Sequence, residues 1–354
     1  MRFFYASILC LYFGMHTYAF QDISEDYLCK PCNLDCDTIV FKQPGICPHC
    51  KMPLIKKALL KKLNQTVYVD DLIINYKFLD EASLHKKDEI TEIIKKGFKH
   101  YKTLFGGNPR DISNQHYTEF TVQISNTKHS GGEADSKFIK LEWSDDTVLG
   151  YGSWKMVLLH EVFHLWNGET LRYKNGSEYW FNEGFTEFYT YQSAVKLNLL
   201  SPKKALTTAT YPIGYYLSTS SLKHMSMREA GKNDKTKFDN FFLVYHGGWV
   251  VALVLDYDIR LKTNNKKSLD NIMQWLYANY PRTTKLYTTK DIIKGLKITT
   301  GIDYSDFFNH HVYGKQPIPV SNYFDLGKAL WDYLWNPEEK LQHQILYKTL
   351  GFSN

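Results

Sequence analysis

Two short stretches constrain this chain more than anything else in it: LLHEVFHLWNG over 158–168 and WFNEGFTEFYT over 180–190. On a helix His160 and His164 stand one turn apart and project from one face, with Glu161 to the side. Eighteen residues separate His164 from Glu183. That is room for the first helix to end near Gly168, for a loop through Asn175-Gly176, and for a second helix to bring its carboxylate back to the imidazoles. The large apolar neighbours of the histidines mark the buried sides of the same helix.

Two neutral imidazoles and one carboxylate leave tetrahedral zinc a fourth position for water, the arrangement of a catalytic site, where a structural site would be closed. Glu161 is placed to take that water's proton. With 13 histidines in the chain the five-residue motif alone is suggestive, and Glu183 as third ligand decides it. The competing reading is a satisfied core histidine pair beside an exposed acidic face. Glu187, one turn after Glu183, is suited to orient a metal ligand.

Five of the six cysteines, Cys29, Cys32, Cys36, Cys47 and Cys50, fall in a 22-residue window, and none follows it. Two C-x2-C pairs, 14 residues apart, are the knuckles of a zinc ribbon. The expectation is a second metal held by Cys29, Cys32, Cys47 and Cys50, with Cys36 as an alternative to Cys32. A pair of disulfides competes, because an exported chain meets oxidising conditions.

Export is expected from residues 1–19: Arg2, an apolar stretch from Phe3 to Met15, then Thr17-Tyr18-Ala19, whose small residues suit a signal peptidase. The stretch is too short to span a bilayer, so no membrane span is expected after its removal, and the chain is expected to be periplasmic or secreted. Cys10 would leave with the signal. The formal charge of +6 is spread along the sequence without a basic block, which argues against a nucleic-acid partner. At 44% hydrophobic and 16% aromatic the chain can bury a substantial core.

Apolar periodicity predicts a helix over 89–105, ended by Gly106-Gly107, and half-buried strands over 117–124 and 138–143. Helices are predicted over 153–167, 179–196, 241–261, 268–277, 290–296 and 322–335. The expected organisation is a signal peptide (1–19), a cysteine-rich metal-binding module (20–55), a linker with short strands (56–88), a catalytic domain (89–321) and a helical C-terminal extension (322–354).

The cysteine window resembles small heavy-metal-binding modules of pattern C-P-x-H…P-G-x-C-P-x-C-G-M-x-L, through Pro44-Gly45-Ile46-Cys47-Pro48-His49-Cys50 and Met52-Pro53-Leu54. Cys32 stands where that pattern has histidine, and Lys51 where it has glycine. The pattern H-E-x-x-H-x18-E with N-E-G-F-T-E-F-Y-T resembles the gluzincin metallopeptidases, most closely the glycyl aminopeptidase family. "VYHGGWVVALVLDYDIR" (244–260), "SLDNIMQWLY" and "GIDYSDFFNHHVYGKQPIP" are similar to later elements of that family.

The resemblance implies an α+β fold: a thermolysin-like gluzincin catalytic domain, with a small mixed sheet and a mainly helical subdomain, preceded by the zinc-ribbon-like module. It implies His160, His164 and Glu183 as zinc ligands, Glu161 as base, and Tyr245 as hydrogen-bond donor to the oxyanion of the tetrahedral intermediate. Gly247 replaces the family's lysine. Relatives that remove N-terminal residues hold the substrate's amino group with a glutamate in a glycine-containing strand. The nearest stretch here is SGGEAD, where Glu133 or Asp135 could anchor an ammonium, and both could equally belong to a solvated turn. The expected activity is zinc-dependent removal of small N-terminal residues from peptides. The alternatives are an endopeptidase with the same site and an inactive peptidase-like metal-handling protein.

Overall fold

Strands Tyr27–Cys29 (β1), Val40–Phe41 (β2) and Leu54–Lys56 (β3) form an antiparallel sheet of order β2-β1-β3. It belongs to the first of two compact units, 1–62 and 63–354. The structure is a computed structural model and describes residues 25–29, 34–145, 153–174, 176–335 and 341–352. The expected signal segment and Cys32 lie outside the described residues.

The second unit is built on a five-stranded mixed sheet of order β4-β5-β6-β8-β7. Its strands are β4 (Asn64–Val69), β5 (Leu72–Phe78), β6 (Glu119–Asn126), β7 (Gly131–Asp135) and β8 (Phe138–Trp143). Strict alternation sets the buried face: Leu72, Ile74, Tyr76 and Phe78 on β5, Phe120, Val122 and Ile124 on β6, and Ile139, Leu141 and Trp143 on β8. Residues 56–88, expected as a linker with short strands, therefore contribute β4 and β5 to the main sheet.

Helix α1 (Lys87–Phe105) connects β5 to its parallel neighbour β6 and lays Ile90, Ile94, Phe98 and Tyr101 into the core. It ends as predicted at Gly106, whose φ of 81° is the left-handed cap. The stretch SGGEAD is strand rather than loop. It pairs antiparallel with β8 through a two-residue turn in which Ser136 and Lys137 take φ of 30° and 64°. β7 is thus an edge strand with one side unpaired.

Helices α2 (Trp154–His164) and α3 (Tyr179–Lys196) carry the site, and α4 (Gly247–Lys262) packs behind α3. Helix α4 and the wide turn before it, Phe242–Lys262, have the length and hydropathy of a membrane span, yet 94% of the apolar window is buried inside the fold. A helix apolar on all sides is here a central core helix, packed all round. Its approach to α3 is set by two glycines. A Cβ on Gly184 would stand 2.4 Å from Gly248 Cα, and one on Gly248 would stand 2.0 Å from the Trp180 carbonyl oxygen. Only hydrogen fits at either place, so the helices touch backbone to backbone beside Glu183.

Candidate metal centre

His160 and His164 leave α2 on one face, and Glu183 reaches them from the first turns of α3. The two Nε2 atoms are 2.9 Å apart, and Glu183 Oε2 lies 3.5 Å from His160 Nε2 and 3.4 Å from His164 Nε2. Ligands at about 2.0–2.1 Å from a tetrahedral zinc are about 3.4 Å from one another, so this triangle of donors fits that ion.

Each imidazole is oriented from behind. His164 Nδ1 donates to the Asn167 carbonyl at 2.8 Å, and His160 Nδ1 lies 3.4 Å from Glu187 Oε1. A proton on Nδ1 leaves the Nε2 lone pair for a cation. Asn167 is in turn tied to α3, donating from Nδ2 to the Asn182 carbonyl at 3.1 Å and to Thr186 Oγ1 at 3.1 Å.

The electrostatics match the donor set. Burial, with the neighbouring His164 charge, lowers His160 to about 4 and keeps it neutral. Burial also opposes charge on His164, but its hydrogen bond to Glu183 and that carboxylate's charge raise it to about 9. Glu183 is ionised in spite of burial, because both histidines and the Lys237 charge hold its carboxyl well below the ordinary range. A cation between the donors takes over the role of the proton on His164. Burial pushes Glu161 and Glu187 up to about 8, and neighbouring carboxylates add to the rise.

The three donors open onto a cavity of about 790 Å³ whose lining includes Glu161, Glu133, Tyr173, Phe241 and Tyr245. Acidic side chains, Glu133, Glu161, Glu169, Glu183, Glu187 and Asp234, are more numerous in its lining than the basic Arg172 and Lys237. Glu161 abuts β7 so closely that a Cβ on Gly132 would stand 2.6 Å from its Cγ and Oε1. Glu133 lines the cavity and Asp135 does not, so the structure separates the two acids that the sequence left equivalent.

Tyr245 comes from the wide helical turn Phe242–His246, is 8% exposed and stacks on Phe241 at 4.1 Å. Burial and the carboxylates of Glu183, Glu187 and Glu161 raise its pKa, so it stays a phenol and a donor. Gly247 has little room for a side chain, since a Cβ would lie 3.0 Å from Met227 Cε and 3.2 Å from Tyr216 Cδ2. The lysine beside the ligands comes from elsewhere. Lys237, on the short helix Asp234–Asp239, donates to Glu183 Oε1 at 3.3 Å, with its ammonium 4.2 Å from the Tyr179 ring centroid. Sequence reasoning missed Lys237. The signal available was the Asn233-x-x-Thr236 cap that starts its helix.

The model of the peptidase family M1 domain matches residues 144–257, the stretch that carries His160, Glu161, His164, Glu183, Lys237 and Tyr245. The fold is M1 aminopeptidase-like. An aminopeptidase N family protein from Idiomarina loihiensis superposes with a TM-score of 0.61 at 18% identity, over 75% of this chain and 48% of that one. Yeast LTA4 hydrolase gives 0.53 at 11%, over 78% and 44%. Legionella pneumophila aminopeptidase A in complex with aspartic acid gives 0.51 at 15%, over 70% and 27%. The chain thus spans about half or less of the length of these structures. No curated protein matches it. The motifs point closest to the glycyl aminopeptidases, whereas the family that matches is M1; the coarser reading, a gluzincin zinc peptidase, is supported by that match.

Proposed function

We propose that this protein is an exported zinc-dependent aminopeptidase, acting in the periplasm or outside the cell on peptides with small N-terminal residues. The observation that carries the reading is the convergence of His160, His164 and Glu183 on one point of the cavity, with Glu161 and Tyr245 in its wall. When bound there, zinc supplies a Lewis acid that polarises the scissile carbonyl and acidifies a water.

This chain's residues do the rest. Glu161 accepts a proton from the attacking water and passes it to the leaving amine, so one water is consumed and a carboxylate and an amine are released. Tyr245 donates a hydrogen bond to the oxyanion as charge develops. Glu187 and the Asn167 carbonyl fix the two imidazoles. Glu133, at the cavity edge of β7, offers a carboxylate to the substrate's ammonium, and the acidic excess of the cavity favours that end of a peptide.

Glu161→Gln should lower kcat on the order of 10³-fold while zinc stays bound by elemental analysis. Turnover at the parent rate would sink the assignment. A panel of aminoacyl-naphthylamides beside N-acetylated peptides tests the finer claim: cleavage confined to free-amine substrates supports an aminopeptidase, and cleavage of blocked peptides would replace it with an endopeptidase.

A further inference from the structure

The first unit holds a second cluster of soft ligands that peptide hydrolysis does not use. Cys29 at the end of β1, Cys36 in the helical turn Asp35–Thr38, and Cys47 and Cys50 of the following loop place four Sγ atoms within 4.8 Å of one another. Cys29 Sγ lies 2.9 Å from Cys50 Sγ and 3.9 Å from Cys36 Sγ. Thiolates at about 2.3 Å from a tetrahedral zinc are about 3.8 Å apart.

Two further observations point to a metal. The backbone N–H groups of His49 and Cys50 are directed at the Cys47 sulfur, and that of Met52 at the Cys50 sulfur. Such donors compensate thiolate charge in a knuckle. The loop accepts a left-handed residue to make them: Lys51 has φ of 64° at the position where the resembled pattern has glycine. Moreover, among the described residues Cys29, Cys36 and Cys47 form the buried centre of a cluster in this unit, with Phe41, Cys50, Met52 and Leu54 packed around them. A metal at the centre of that cluster would staple the three-stranded sheet around it.

We infer that Cys29, Cys36, Cys47 and Cys50 form a closed four-thiolate zinc site that holds the N-terminal unit together. Among the described residues the fourth ligand is Cys36. Four thiolates fill a tetrahedron, so no coordination position is left for a water, and the site is structural rather than catalytic. The sulfur-only donor set selects zinc over calcium or magnesium. Metal loading and folding of the unit are one event.

The test uses the full chain as four proteins: parent, Cys32→Ala, Cys36→Ala and Cys36→His. Zinc per chain is counted by elemental analysis, and the second site is loaded with cobalt(II) to read the near-ultraviolet thiolate-to-metal band. Parent and Cys32→Ala should bind two zinc ions and share the same band. Cys36→Ala should lose affinity at the second site by at least about 100-fold, the upper end of what an outer-shell partner costs. Cys36→His should keep the ion with about a quarter of the band lost, which separates loss of a ligand from loss of the fold. Loss of the second zinc in Cys32→Ala with retention in Cys36→Ala would overturn the ligand set. A parent chain with one zinc, in which four of the five window cysteines stay unreactive to a thiol reagent after unfolding without reductant, would overturn the site in favour of disulfides.

Discussion

The two ligand clusters of this chain are built on opposite plans. In the larger unit three donors come from two long helices and the remaining side of the triangle faces a cavity of about 790 Å³. In the smaller unit four sulfurs come from a strand end, a turn and a loop and converge within 4.8 Å of one another. The long helices are fixed by core packing that exists without any ion, whereas among the described residues the cysteine loops pack around their own sulfurs. An open site therefore needs a scaffold that is already stable, and a closed one can serve as the scaffold.

Changes to helix packing should discharge only the open cluster. Gly184→Ala, which forces a methyl into Gly248, should cost about 3 kcal/mol, abolish turnover and reduce zinc from two per chain to one. Retention of both ions after that change would break the contrast. Tyr245→Phe sharpens it from the other side: kcat should fall about 10²-fold with KM and both zinc ions unchanged, because a donor is lost and no ligand is. Lys237→Met should lower zinc affinity at the open site about tenfold, read by competition with a chelator, because Glu183 Oε1 loses its partner.

The smallest effect concerns acid. Burial, with the nearby Lys196 charge, depresses His100 to about 4. The unfolded chain takes up that proton near pH 6.5 and the folded chain only near 4. The stabilisation is fully present above pH 6.5 and is lost as pH falls through that window. His100→Leu should flatten the decline of the larger unit's Tm between pH 6.5 and 4 by an amount equivalent to a few kcal/mol at most. An unchanged slope would assign the decline to other groups of that unit, for instance to protonation of His160, which burial also depresses to about 4.

How far the sequence discloses this molecule depends on how many residues share a signal. Helix α3 and strand β8 match their predicted limits residue for residue, since each carries a long run of one period. Between 197 and 240 the chain forms helices of four to nine residues, too short for periodicity. Their legible marks are caps such as Ser226 with Glu229, and Lys237 was hidden among them. The β7 edge went unread as strand because one face of it carries only Gly132 and Ala134, which have little side chain to be apolar with. The ligands were legible because coordination imposes its own spacing, whereas the choice between Glu133 and Asp135 rests on the sheet register that no local pattern records.

The wide turn Phe242–His246 has a consequence best put in degrees. It carries one residue more per turn than an α-helix, which advances about 100° per residue. It therefore sets the angular phase between the chain up to Phe241 and helix α4, which is locked by Gly248. Deleting one residue of the turn would leave α4 seated and rotate everything before it by roughly a quarter of a revolution. The turn is a phase key: a change in length there would misaim the wall of the site without loosening its core.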